Sequence, residues 1–299
     1  MNGRGLPMLL AQAYETYRPR LFGLAYRMLG IAADAEDIVQ DVFAHYMRME
    51  AEGIRDEKAY LTKMTANRCI NLLKSSRRRR EVYTGPWLPE PMPDDKGISF
   101  SDPAERRENV GYAYLVLLQR LTPLERAIYI LKESFGFEYG NIAEMLNRTE
   151  MSCRKTFSRA KAKVAADESK QILDESEGSA KKSFVEAFLR ASDTGDFKPL
   201  TAFLLEDVTL ITDGGGKVRA AINPILGIGR VLAFFESLTA KGTFKEGFET
   251  VLLQGGETGL ALRREGRVAY VLCAEREPEG PRIRRLYMVV NPDKLTRFN

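Results

Sequence analysis

Residues 138–164, EYGNIAEMLNRTEMSCRKTFSRAKAKV, have the length and pattern of a helix-turn-helix. A first helix is predicted to end near Leu146. A turn follows at Asn147 and Arg148, and the hydroxyl of Thr149 is placed to cap the next helix. The stretch therefore predicts two short helices joined by a tight turn.

The second helix of this stretch is amphipathic. Helical spacing predicts one buried face, formed by Cys153, Phe157, Ala160 and Val164. The opposite face carries Lys155, Ser158 and Arg159, with Arg154 and Lys161 on its flanks. Such donors suit phosphate oxygens and guanine edges in a major groove. Basic amphipathic helices are also common as solvated surfaces, so the helix alone leaves both interpretations open.

The whole chain has 299 residues, which is long enough for several domains. Its 44% hydrophobic and 29% charged residues predict a folded globular protein. The sequence has no apolar run of membrane-spanning length and no signal-peptide pattern, so we expect no membrane association and a cytoplasmic location. Its three cysteines are far apart and lack metal-ligand spacing, which predicts a reducing compartment and no zinc site. No other metal and no cofactor is expected.

The positive charge lies in the first part of the chain. Residues 1–165 carry 26 Lys and Arg against 21 Asp and Glu, whereas residues 166–299 carry 19 against 20. Within the first part, acidic residues concentrate at 34–41 and basic residues at 74–80 and 154–163. Separate anionic and cationic surfaces favour binding to more than one kind of partner.

The chain divides into a helical part and an α+β part. Helical spacing predicts helices over about 10–28, 34–49 and 56–74, and again between 104 and 166. Four prolines within residues 86–93 exclude a helix and predict a semi-rigid linker. After a polar stretch at 167–180, one amphipathic helix and several short alternating runs, expected to form antiparallel strands, predict an α+β domain.

The predicted helix at 34–49 has an acidic face. Asp34, Asp37 and Asp41 share one side, while Ile38 and Val42 point to the other. Acids are favourable at a helix N-terminus, which accounts for Asp34 but not for Asp41, two turns along. An acidic face would repel DNA, so a protein partner is favoured.

The predicted helix at 56–74 presents amides, bases and one aromatic ring along a single stripe: Tyr60, Lys63, Asn67, Asn71 and Lys74. Such a stripe suits unpaired bases, which offer stacking faces and open Watson–Crick edges. The arginines at 77–80 suit the phosphate backbone, although four arginines could also form a solvated patch.

These segments resemble two regions of the sigma-70 family, the promoter-recognition subunits of bacterial RNA polymerase. The stretch LTPLER at 121–126, with IAEML at 142–146 and SRA at 158–160, is similar to region four. The stretch DAEDIVQDVF at 34–43, with Tyr60-Leu61, Ala66-Asn67-Arg68 and Asn71, is similar to region two. Because no long region separates them, the chain resembles the extracytoplasmic-function group of this family.

The resemblance implies three sets of binding residues. Docking on the coiled coil of the largest subunit of core polymerase is implied for Asp34, Glu36, Asp37 and Asp41, and the polymerase flap is a further expected partner surface. Capture of the melted minus-ten element of promoter DNA is implied for Tyr60, Lys63, Asn67, Arg68, Asn71, Lys74, Arg77 and Arg78. Reading of the minus-thirty-five element is implied for Glu150, Ser152, Arg154, Lys155, Ser158 and Arg159.

The final third resembles the SnoaL-like cone, a curved sheet wrapped by helices around a pocket, which one subgroup of sigma factors carries. Three marks of that subgroup are present: Trp87-Leu88-Pro89-Glu90-Pro91, Asp213-Gly214-Gly215-Gly216-Lys217 and Asn291-Pro292-Asp293-Lys294-Leu295. A turn needs one or two glycines, so a third glycine beside an acid and a base favours close backbone approach to a partner. The resemblance favours a regulatory contact between this loop, the linker and the tail.

The expected fold is multidomain, with two all-α sigma domains, the second containing the helix-turn-helix, followed by an α+β SnoaL-like domain. The expected boundaries are 1–80 for region two, 81–103 for a Pro-rich linker, 104–166 for region four, 167–180 for a second linker and 181–299 for the regulatory domain.

The expected function is that of a non-enzymatic sigma factor regulated by its own C-terminal domain. The alternative is an isomerase or hydrolase domain for a small ligand, fused to a DNA-binding module. Because the only histidine, His45, lies in region two, Asp213 or Glu249 would then have to supply the acid–base group. A ligand-gated transcription factor without polymerase docking is a third option, and the acidic helix counts against it. Binding of an unknown small ligand in the cone stays open.

Overall fold

The computed structural model describes residues 5–49, 54, 56–81, 83–94, 111–165, 177–277 and 280–299. The chain divides into two compact units. The helical unit comprises Met1–Arg79, Ile98–Glu108 and Leu115–Ala166, and the sheet unit comprises Arg80–Gly97, Asn109–Tyr114 and Asp167–Asn299. The described residues of the proline-rich linker, 83–94, therefore group with the C-terminal part of the chain.

The first half of the helical unit contains helices α1 (Gly5–Leu29), α2 (Ala32–Tyr46) and α3 (Glu57–Glu81). Gly30 follows α1 with a φ of 72°, a left-handed conformation that ends the helix and lets the chain turn into α2. The predicted second helix reached residue 49, whereas α2 ends at Tyr46. The third helix is longer than predicted, because α3 continues through the arginine run.

Helix α4 (Tyr112–Leu118) is divided between the two units, since its residues up to Tyr114 group with the sheet unit. The second half of the helical unit continues with α5 (Pro123–Glu133), α6 (Tyr139–Leu146) and α7 (Glu150–Ala165). Thr122 and Glu125 form a capping box at the start of α5, and Pro123 occupies its first turn. Asn147 ends α6 in the left-handed region, with a φ of 51°. The predicted turn of the helix-turn-helix is therefore present at Asn147.

The two halves of the helical unit are joined by a buried arginine. Arg126 on α5 is 2% exposed and donates hydrogen bonds to the carbonyl of Met28 on α1 and to the side chain of Gln119. A further bond reaches the carbonyl of Leu121 at 3.2 Å. A buried cation needs such partners, since an unpaired one would be costly.

The sheet unit contains a six-stranded sheet in the order β2-β1-β6-β5-β4-β3. Its elements are α8 (Glu177–Thr194), β1 (Leu204–Asp213), β2 (Ile225–Leu226), α9 (Ile228–Ala240), β3 (Phe248–Leu253), β4 (Glu257–Arg264), β5 (Arg267–Arg276) and β6 (Ile283–Val289). Among the described strands, β1–β2, β3–β4, β4–β5 and β5–β6 pair antiparallel, as the sequence predicted. The exception is β1 with β6, which pair in parallel, with Asp213 opposite Val289. A parallel pair needs a long crossover, which the chain between β1 and β6 provides.

Both faces of the sheet carry buried side chains. On one face, α8 and α9 pack through a cluster of phenylalanines, of which Phe188, Phe197 and Phe235 are 0% exposed. On the other face, Cys273 and Tyr287 are opposite each other on β5 and β6 and are also buried. The ring of Tyr112, the first residue of α4, lies 5.8 Å from that of Tyr287.

Candidate nucleic-acid interface and linker-binding site

The acidic residues predicted to dock on polymerase lie on α2. Asp34, Asp37 and Asp41 are exposed, and Glu36 is half-buried. Ile38 and Val42, at 8% and 0% exposure, face the core. The helix therefore presents an acidic face outward, as its spacing requires.

The residues predicted to bind the minus-ten element lie on α3. Their exposed members are Lys63, Asn71 and Lys74, and Tyr60 and Arg68 are half-buried. Asn67 is different, because its amide donates to the carbonyl of Met145 on α6 at 2.9 Å. That bond would have to break before the amide could pair with a base. Arg77 and Arg78 belong to α3, but their side chains lie outside the described residues.

Tyrosines support the N-terminal end of α3. The Tyr46 hydroxyl donates to Glu57 at 2.6 Å, and the rings of Tyr46 and Tyr60 are 6.5 Å apart. Burial and this bond to the Glu57 carboxylate raise the pKa of Tyr46 to about 12. Tyr46 therefore remains protonated and donates its hydrogen bond to Glu57. This contact supports the end of α3 at which Tyr60 lies.

The six residues predicted to read the minus-thirty-five element lie on α7. All are exposed: Glu150, Ser152, Arg154, Lys155, Ser158 and Arg159. The predicted buried face is present, with Cys153, Ala160 and Val164 buried and Phe157 half-buried. The Thr149 hydroxyl accepts the Ser152 N–H at 3.2 Å, as expected of a helix cap.

Within the sheet unit, the linker, the glycine loop and the tail meet at a buried ion pair. Asp213, at the end of β1, is 0% exposed, and Lys294 of the tail is 3% exposed. Lys294 Nζ lies 2.7 Å from Asp213 Oδ2. The same oxygen accepts the Leu88 N–H at 2.8 Å, and Lys294 Nζ donates to the Leu88 carbonyl at 2.5 Å. The pair therefore binds both backbone polar groups of one linker residue.

Two linker rings surround this ion pair. Lys294 Nζ lies 4.2 Å from the ring centroid of Trp87 and 5.1 Å from that of Tyr83. The Tyr83 hydroxyl donates to Asp213 Oδ1 at 2.5 Å and accepts from Asn291 Nδ2 at 3.0 Å. Burial, together with the bond to the Asp213 carboxylate, raises the pKa of Tyr83. The ammonium is thus held by a carboxylate, a carbonyl and two aromatic faces.

Each glycine of the Asp213–Lys217 loop allows a close approach. A Cβ atom on Gly214 would lie 2.2 Å from the Val218 carbonyl oxygen, and one on Gly215 would lie 2.3 Å from Asn291 Nδ2. Gly216 has a φ of 72°, and a Cβ atom there would lie 3.2 Å from Thr84 Oγ1. The lack of a side chain at Gly214 therefore allows the turn itself. At Gly215 it allows the tail to approach, and at Gly216 it allows the linker to approach.

The remaining residues of the three marks surround this contact. Pro89, Glu90 and Pro91 are buried, and Glu90 faces Arg297 at 3.4 Å. Leu295 is 1% exposed, whereas Pro292 is exposed at the start of a short 3-10 helix, Pro292–Lys294. Lys217 and Asp293 form an exposed ion pair at 2.6 Å. The contact thus has a buried centre and a solvated edge.

The hairpin between β3 and β4 also binds the linker, at a place that the sequence did not indicate. The Met92 carbonyl accepts the Gln254 N–H at 2.8 Å, and Pro93 pairs with Leu253. Glu257 Oε2 accepts the Tyr112 N–H at 2.8 Å, while the Tyr112 hydroxyl donates to the Pro89 carbonyl. The hairpin therefore contacts the chain before residue 95 and again after residue 110.

In the part of the chain that the structure describes, no helix is long and apolar enough to cross a membrane. The same residues contain no cluster of three His, Cys, Asp or Glu side chains that could hold a metal ion.

An exposed basic helix after a tight turn, an acidic helix and a polar α3 together have the surface charges typical of a DNA-binding protein that also binds a protein partner. Residues 13–79 match Sigma-70 region 2, and residues 112–164 match Sigma-70 region 4. The chain is 30% identical over 292 residues to the ECF RNA polymerase sigma factor SigJ of Mycobacterium tuberculosis, covering 95% of this chain and 92% of that protein.

Two further similarities agree with this one. A probable ECF RNA polymerase sigma factor, SigI of Mycobacterium tuberculosis, is 32% identical over 200 residues, which are 65% of this chain and 67% of that protein. The crystal structure of Mycobacterium tuberculosis SigJ superposes with a TM-score of 0.74 at 28% identity and covers 96% of this chain and 98% of that chain.

The chain belongs to the extracytoplasmic-function sigma factors of RNA polymerase. It is a promoter-directing transcription initiation factor, with helical sigma domains followed by an α+β domain. Proteins of this family bind core polymerase and promoter DNA, and the family is not enzymatic.

Proposed function

We propose that the sheet unit regulates this sigma factor by holding the linker between its two DNA-binding regions. The observation that carries the proposal is the buried pair of Asp213 and Lys294, which binds the N–H and the carbonyl of Leu88. Two DNA elements can be read together only if the two reading regions have the matching separation. A domain that fixes the path of the linker therefore controls that separation.

The polymerase and DNA contacts follow the surfaces already described. The exposed acids of α2 dock on the coiled coil of the largest polymerase subunit, and region four meets the flap. The stripe on α3 captures the melted minus-ten element, and the exposed face of α7 reads the minus-thirty-five element. The support for these roles is the charge of each surface: acids are gathered on α2, whereas basic side chains are exposed on α3 and α7.

A catalytic role for the sheet unit is disfavoured by its two candidate carboxylates. Asp213 is buried and bonded to Lys294, Leu88 and Tyr83. Glu249 forms an ion pair with Arg263 at 2.6 Å on the surface. Phenylalanine rings at 5.2 to 5.8 Å spacing lie between the helices and the sheet, among them Phe188, Phe197 and Phe235. These observations support binding of the linker as the role of the sheet unit, and they assign no small ligand to it.

The test compares two lysines of the same contact in run-off transcription with purified core polymerase. Lys294→Gln removes the buried cation and leaves Asp213 unpaired, a loss of about 3–5 kcal/mol in comparable pairs. Lys217→Gln is the matched control, because its ion pair with Asp293 is exposed and worth at most about 1 kcal/mol. We expect Lys294→Gln to release the linker and raise transcription, and Lys217→Gln to behave as wild type.

Release of the linker can also be followed in the purified protein without core polymerase. Trp87 is the only tryptophan of the chain, so its fluorescence reports on the linker alone. In Lys294→Gln its emission should shift to the red and its quenching by acrylamide should increase. If both variants transcribe like the wild type while Trp87 becomes accessible in Lys294→Gln, the contact exists but does not regulate.

A further inference from the structure

Two neighbours hold the guanidinium of Arg154 on α7. The guanidinium carbon lies 4.5 Å from the ring centroid of Tyr139 on α6. The Nε and Nη2 groups donate to Glu150 Oε1 at 3.1 and 2.6 Å. One face of the guanidinium is therefore covered by an aromatic ring and one edge is bound to a carboxylate, although the side chain is 60% exposed.

The ring of Tyr139 is itself fixed by packing. Its centroid lies 5.8 Å from that of Phe157 on α7, in an edge-to-face arrangement. Phe157 in turn stacks on Tyr129 of α5 at 5.8 Å, and Tyr129 is only 3% exposed. The orientation of the Tyr139 ring is therefore set by the core of the helix-turn-helix.

This arrangement selects one orientation for an exposed arginine. A free arginine side chain loses considerable conformational entropy when a ligand immobilises it, and less if it is already aligned. Among the described residues, no acceptor binds the Nη1 group of Arg154. The terminal edge with Nη1 is therefore available, and this edge has the geometry that pairs with the O6 and N7 atoms of guanine.

We infer that Tyr139 is a positioning residue for base recognition: its ring, with Glu150, orients Arg154 toward a guanine in the minus-thirty-five element. The inference rests on the proposed role of Arg154 in reading that element. Tyr139 itself touches no base. Tyr139 contributes to how well Arg154 distinguishes guanine from the other bases. Replacing a residue with a purely structural role would leave that distinction unchanged.

The test uses full-length protein with core polymerase and a promoter selected with the wild-type holoenzyme. Affinity is measured at one salt concentration for that promoter and for every single-base change in its minus-thirty-five element. Tyr139→Leu should bind the preferred promoter about fivefold more weakly, the size expected for one exposed cation–π contact. It should lose discrimination at the same base pair as Arg154→Ala, and Tyr139→Phe, which keeps the ring, should restore it.

A double mutant separates positioning from packing. If Tyr139 acts through Arg154, the variant with both Tyr139→Leu and Arg154→Ala should bind no more weakly than Arg154→Ala alone. Additive losses, or an equal loss on every promoter sequence, would overturn the inference. If Arg154→Ala keeps full discrimination at every base pair, the proposed base contact of Arg154 is itself wrong. Thermal melting of each variant checks the fold, and Tyr139→Met replaces Tyr139→Leu if the latter melts early.

Discussion

At the scale of single residues, the buried charges of this protein have specific partners. Glu125 illustrates this, because its carboxylate accepts the Thr122 N–H at 3.0 Å and the Lys163 ammonium at 2.7 Å. Burial alone would raise the pKa of Glu125, but the bonds from Lys163 and Thr122 outweigh burial and lower it. The ionised form therefore stabilises the cap of α5 and joins it to α7.

The sign of this shift predicts a pH dependence. A carboxyl with a lowered pKa in the folded state stabilises the fold above its unfolded pKa of about 4.3, and the stabilisation is lost as the pH falls through the folded value. At pH 7 the free energy of unfolding of Glu125→Gln should therefore be about 1 kcal/mol below that of the wild type, and its melting temperature should be lower. The difference should shrink at pH 3.

The matched control for this residue is Glu133→Gln, since Glu133 forms an exposed pair with Lys161. Thermal unfolding followed by circular dichroism at both pH values makes the comparison. A difference between Glu125→Gln and wild type that is the same at pH 7 and pH 3 would show that charge is not what stabilises the cap.

At the scale of elements, helices were predicted better than strand pairing. The spacing of apolar residues fixes which face of α2 or α7 is buried, because helical geometry is local. The parallel pairing of β1 with β6 was not predicted, because alternation identifies a strand but not its neighbour. The proline content of residues 86–93 excluded a helix, but it carries no information about which surface binds the linker.

The candidate site shows the same limit. The sequence singled out the linker, the glycine loop and the tail, yet it gave no reason why Lys294 is buried while Lys217 is exposed. Each lysine lies near an aspartate in sequence, and only the fold separates them. Sequence reasoning did not identify Tyr83, Tyr112 and Glu257 as contact residues. A single tyrosine or glutamate outside a motif has no spacing that predicts its partner.

The β3–β4 hairpin leads to a prediction about α4. The Tyr112 N–H belongs to the first turn of α4, where amide groups lack partners within the helix, and Glu257 supplies one. Glu257→Ala should therefore speed hydrogen exchange in α4 while β5 and β6 keep their protection. Glu249→Ala on β3 is the control, because its exposed pair with Arg263 does not involve the linker. Unchanged exchange in α4 would mean that the hairpin does not stabilise this helix.

At the scale of the whole molecule, the linker is part of the sheet unit although it lies between the two DNA-binding regions in sequence. Removing the tail and removing the sheet unit are therefore different changes. A chain ending after Asn291 lacks Lys294 and the buried side chains of Leu295 and Phe298, but it keeps every strand. A chain ending near Ser179 lacks the whole sheet and leaves Leu88 and Met92, which are buried in the intact protein, without their cover.

Run-off transcription by core polymerase with these two truncations and the full-length chain tests the central claim most directly. The tail truncation should loosen the hold on Leu88 while the sheet still supports the linker, so it should give more transcript than the full-length chain. The truncation near Ser179 should give less than the tail truncation, because that support is gone. Equal or lower transcription from the tail truncation than from the full-length protein would contradict the claim that the sheet unit restrains this sigma factor through its linker.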